Sequence, residues 1–126
     1  MQLNANIGDA NVKLYRAAKK LYMERIEKLK DFLAASPNDS FLEHALALEY
    51  IKAGDDNTAR LLFEKILERD PAYVGSYYHL GKLLERAGDF AFAILTYKRG
   101  MIEAKKAADR HSYNELQGAL EDITVE

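Results

Sequence analysis

The sequence predicts an all-α fold, a stack of helix–turn–helix hairpins, and three observations carry that reading. The chain repeats itself: Leu46–Ala47, Tyr50, Gly54–Asp55, Ala59 and Phe63 are answered 34 residues later by Leu80–Gly81, Leu84, Gly88–Asp89, Ala93 and Tyr97. A fixed period of that size marks a stacked array whose units cannot bury their apolar faces alone. Between these points the apolar residues recur at three- and four-residue steps, the period of one helix face. Gly54, Gly88, Pro37 and Pro71 stand at the joints, and the two prolines are again 34 residues apart.

Taken in order, residues 1–8 are polar and end in Gly8, so a frayed start is expected, with Asp9 as the N-cap of a helix running to Ala35. Val12, Tyr15, Ala18, Tyr22, Ile26, Leu29 and Phe32–Leu33 mark its apolar face, and Ser36-Pro37-Asn38-Asp39 ends it. One repeat back from the first clear unit a turn should fall inside this helix, but no turn residues sit there. Arg25 also stands where Ala59 and Ala93 stand later. Residues 1–36 therefore read as a degenerate repeat that caps one end of the stack, since terminal faces would otherwise be apolar.

Two full units follow over residues 37–107. Ser40 with Glu43 has the spacing of a capping box, in which each side chain satisfies a free backbone N–H of the other. The first hairpin is expected at about residues 40–53 and 57–69, turning at Gly54, with Asp55-Asp56-Asn57 offering N-caps. Asp70-Pro71 opens the second unit, with proline at a position whose N–H would be unpaired anyway. Its helices are expected at about 73–87 and 90–107, turning at Gly88-Asp89. Residues 108–126 restate only the opening half of the pattern, as Tyr113-x2-Leu116-Gln117-x2-Leu120, and read as a solvating last helix over about 109–122.

Neighbouring helices close to 8–10 Å only where one side offers a small residue. Ala47, Gly81, Ala59 and Ala93 are the expected notches; Leu46, Tyr50, Phe63, Leu80, Leu84 and Tyr97 are the knobs that fill them. The spacing large-x2-Leu-small-x2-Tyr, then Ala-x3-Phe, then proline resembles the tetratricopeptide repeat. The resemblance covers about residues 37–122 and is tightest in the second unit, where Tyr77 completes it; in the first, Glu43 replaces the expected aromatic. It implies a right-handed superhelical stack whose first helices line a concave groove for a peptide or helix of a partner protein. Carried over residue by residue, that groove holds Phe41, His44, Leu48 and Lys52, then Tyr78, Lys82 and Glu85, with Asn114 on the last helix. Phe41, Leu48 and Tyr78 read equally as packing against neighbouring helices. The family's carboxylate clamp is not expected, because its positions read His44, Leu48, Tyr78 and Lys82, and only the lysine suits it.

Composition narrows the rest. The 126 residues suffice for one domain with a real core, and 48% hydrophobic with 30% charged residues suits an ordered helical protein. A net charge of −2 gives no global attraction for nucleic acid or anionic lipid. The absence of cysteine excludes disulfides, thiol chemistry and the usual structural zinc sites. No run approaches a membrane span and no secretory leader is evident, so a cytoplasmic protein is expected. His44, His79 and His111 lack metal-ligand spacing, and no serine sits in a nucleophile context, so neither cofactor nor catalysis is expected. Lys13, Arg16, Lys19 and Lys20 form a basic face on the first helix, read as solvated rather than as a nucleic-acid or membrane element. Leu14, Tyr15, Leu21, Tyr22, Ile26 and Leu29 spread over more arc than one stack end buries, so a homodimer through this helix is the alternative expectation. Met23 is a second candidate for the native start.

Overall fold

Every joint marked by the repeat is a helix boundary in the computed structural model, which describes residues 2–124 and the side chains of residues 7–124. Six helices follow one another: α1 (Gln2–Ala35), α2 (Ser40–Lys52), α3 (Asp56–Arg69), α4 (Gly75–Arg86), α5 (Phe90–Lys106) and α6 (Arg110–Thr124). No strand occurs among the described residues. Each helix packs on the next, and α4 also touches α6, so the chain is an all-α helical-repeat stack. Met1 and residues 125–126, parts of the expected end segments, lie outside the described residues.

The turns explain themselves locally. Gly54 (φ 84°) and Gly88 (φ 78°) take the left-handed conformation that glycine adopts without steric cost. In each turn the next N–H reaches back to close the helix, Asp55 to Tyr50 O at 2.9 Å and Asp89 to Leu84 O at 2.8 Å. The α5–α6 turn repeats this geometry without glycine: Ala108 has φ 55°, and Asp109 N–H reaches Ala104 O at 2.9 Å. Asp55 then caps α3 by accepting from Thr58 N–H at 3.1 Å, and Asp109 accepts from Ser112 N–H at 3.0 Å.

Four expectations need correction. The first helix neither frays before Asp9 nor uses it as a cap; it is helical from Gln2, because polar Asn and Gln do not break a helix that long side of a continuous pattern. The Ser40–Glu43 capping box does not form. Asp39 is the N-cap, accepting from Leu42 N–H at 3.1 Å, which frees Ser40 to accept from Arg69 Nη2 at 2.9 Å. Glu43 turns inward, only 2% exposed, and pairs with Arg69 at 2.5 Å and Lys65 at 3.4 Å on α3. Pro71 is not in the first turn of α4, which begins at Gly75; it lies in the preceding turn, where its carbonyl accepts from Tyr77 Oη at 2.6 Å.

One core runs through the stack. Ala47, Ala59, Phe63, Ile66, Ala93, Tyr97 and Ala104 are fully buried, with Leu46, Leu80 and Leu84 nearly so and Tyr50 half-buried at its edge. Burying each large side chain contributes about 1.5–3 kcal/mol. The closest fit is at Gly81, where a methyl group would run into the Tyr97 ring. Gly100 is a second close approach: a methyl there would stand 2.6 Å from Tyr77 Cβ and 2.9 Å from Leu116 Cδ1. A glycine inside a helix costs about 1 kcal/mol against alanine, and this contact is its compensation.

Candidate functional site

The first helices of the hairpins, α2 and α4, stand side by side, and α6 continues them through its contact with α4. His44 is the link between the first two. Its Nδ1 is hydrogen-bonded to Ser76 Oγ at 2.8 Å, and its ring centroid lies 5.4–5.6 Å from those of Phe63, Tyr73 and His79. His79 in turn stacks on Phe63 at 5.9 Å. Burial pushes the His44 pKa down to about 4, with the His79 ring adding to the effect, and burial lowers His79 as well. This cluster is a neutral aromatic seam between hairpins.

The remaining sequence-predicted residues fall into two groups. On α4, Tyr78, Lys82 and Glu85 form one connected station. The Lys82 ammonium lies 5.6 Å from the Tyr78 ring centroid and 3.4 Å from Glu85 Oε2, and Glu85 accepts a hydrogen bond from the Tyr97 hydroxyl. Burial first, and that bond second, raise the Tyr97 pKa and keep the phenol protonated. On α2, Phe41 is 70% exposed, Leu48 is half-buried against the core, and Lys52 pairs with Glu49 at 3.3 Å. Phe41 and Lys52 sit near opposite ends of that helix, on the order of 16 Å apart at 1.5 Å per residue. Asn114 is exposed on α6.

Ser76 and Gly100 went unmarked in the sequence reading. Gly100 carried a legible signal, an interior helical glycine one repeat after Ile66. Ser76 carried none, because its burial depends on the tertiary position of His44. Among the described residues no three His, Asp or Glu side chains are placed to hold a metal, and no helix is long and apolar enough to cross a membrane.

No family model matches the chain. It is 31% identical over 91 residues to TPR repeat-containing protein PA0015 of Pseudomonas aeruginosa, an alignment spanning 72% of this chain and 87% of the relative. The chain belongs to the tetratricopeptide repeat family. Solved structures agree: a tetratricopeptide repeat domain protein of Salinibacter ruber is 42% identical with a TM-score of 0.67, over 70% of this chain and 99% of that one. A protein of Bordetella parapertussis is 28% identical with a TM-score of 0.68, over 78% and 85%. Tetratricopeptide repeats are, as a class, protein–protein interaction modules.

Proposed function

We propose that the wall formed by α2, α4 and α6 is the working surface, and that it takes a peptide or helix of another protein as a binding module, not as a catalyst. One observation carries the reading: Phe41 stands 70% exposed on the same helix row as the prearranged Tyr78–Lys82–Glu85 station. An exposed aromatic beside an oriented charge supplies stacking area and direction, the features enriched at binding hot spots. In this division residues 37–107 form the binding units and the segments on either side, 1–36 and 108–126, complete the stack. Quantitative capture from lysate tests it, comparing the parent with Tyr78→Ala/Lys82→Ala. The partner's yield should fall about tenfold or more. Equal recovery, with unchanged helical circular dichroism, overturns the groove as the surface. A second reading, an isologous homodimer through α1, is favoured by the exposure of Leu14 and Tyr15 on that helix.

A further inference from the structure

The two ends of the stack are incomplete in complementary ways. Stepping back one repeat aligns Arg25 with Ala59 and Phe32 with Ile66. Ala59 and Ile66 are fully buried, whereas Arg25 is exposed and Phe32 is 55% exposed. In α3 that face is covered by α2, the other helix of its hairpin. In α1 no described helix covers it, because α1 runs straight for 34 residues instead of folding back. The same face continues toward the helix start as Ile7, Leu14 and Leu21, all exposed, with Ala10 and Ala17 between them. These five positions, spaced four and three apart, form one narrow apolar seam.

At the other end, Tyr113 and Leu120 of α6 stand where Tyr77 and Leu84 stand in α4, the positions facing α5. Among the described residues no second helix covers them. With Met101 and Ile102 of α5 they line an open cleft, bordered by Lys98 and Lys105. So one end offers the first helix of a hairpin without its second, and the other end the second without its first. Gln117 occupies the notch position of Ala47 and Gly81, and the alanines of the α1 seam move the small residues to the opposite helix.

Charge separates this pairing from the isologous one. Lys13 and Lys20 flank the seam, each one residue ahead of Leu14 or Leu21. Two α1 helices joined on their seams would bring these lysines together. Over its length α1 carries seven basic and four acidic side chains, while α6 carries Arg110 against Glu115, Glu121 and Asp122. A basic helix is therefore drawn to the acidic one.

We propose that copies of this chain associate head to tail, the α1 seam of one copy docking in the α5–α6 cleft of the next as the missing second helix of its last hairpin. Such a heterologous contact propagates into a filament, or a ring where the rotation closes. Sedimentation velocity of the full chain, from about micromolar to about millimolar concentration, tests it with two variants. Leu14→Asp/Leu21→Asp breaks the head and Ile102→Asp the tail; both sets of positions are exposed, and helical circular dichroism verifies folding. Leu14→Gln/Leu21→Gln replaces the head variant if added charge disturbs the helix. The parent's average mass should rise with concentration, and each variant should associate at least about tenfold more weakly. An equimolar mixture of head and tail variants should form dimers and nothing larger, since one intact end of each kind remains. A parent monomeric throughout, a tail variant that associates like the parent, or a mixture that stays monomeric overturns the proposal; the second of these outcomes is the signature of α1–α1 pairing.

Discussion

The two hairpins solve one packing problem by different chemistry. At equivalent positions 34 residues apart, the first has Glu43 and Ile66 and the second Tyr77 and Gly100. In the second, the Tyr77 ring closes over Gly100 and its hydroxyl is satisfied by Pro71 O at 2.6 Å. In the first, Ile66 fills the space that Gly100 leaves free, and a short acid paired with Arg69 and Lys65 replaces the ring. The difference shows that a repeat conserves volume at a station rather than residue type. It also gives the hairpins different weak points: sterics in one, an ion pair in the other.

The comparison breaks most sharply at the glycine. Gly100→Val should cost about 3 kcal/mol, at the upper end for overpacking, and lower Tm on the order of 10 °C, whereas Ile66→Val should cost only about 1 kcal/mol. Thermal melts of the two variants check this, and similar losses would refute the stated volume trade. Next comes the ion pair. Arg69→Met leaves Glu43 buried with only Lys65, for an expected loss of about 2–3 kcal/mol. The double variant Glu43→Gln/Arg69→Met should recover part of that in urea unfolding, because no charge remains to be buried.

The seam between the hairpins responds to pH. The folded pKa of His44 is lowered to about 4 from an ordinary 6.5, so its stabilisation is complete above pH 6.5 and is lost as the pH falls toward 4. Because the ring keeps partial access to solvent, the loss is about 1–2 kcal/mol. Unfolding measured across that window should flatten in His44→Gln; an unchanged slope would remove His44 as its source. The smallest difference lies in the caps. Asp55→Ala should cost about 1 kcal/mol, while Asp89, its counterpart 34 residues on, makes no side-chain cap bond and should tolerate alanine within a few tenths.

Much of the fold was legible because it rests on local spacing. Ala47, Ala59, Gly81 and Ala93 are small where helices close, and Phe63, Leu80 and Tyr97 are buried against them. The local chemistry of helix starts was less legible. Ser40 and Glu43 have capping-box spacing, yet Arg69, 26 residues beyond Glu43, claims both side chains, and no local rule weighs a partner on another helix. The wall residues divide in the same way. Tyr78, Lys82 and Glu85 meet because helical spacing of three and four puts them on one face. His44 shares the spacing of Phe41 and Leu48, but Ser76 and three aromatic rings draw it into the seam.

Ala108 holds a left-handed backbone at φ 55° where Gly54 and Gly88 do so without a side chain. For alanine that conformation costs roughly 1 kcal/mol, a tax the neighbouring Asp109–Ser112 bonds help the turn to carry. The single methyl is thus a reserve of unclaimed stability: removing it as Ala108→Gly would tighten the last hairpin without touching a contact surface, giving an independent handle on thermostability in a chain whose other glycine-dependent turns have nothing left to gain.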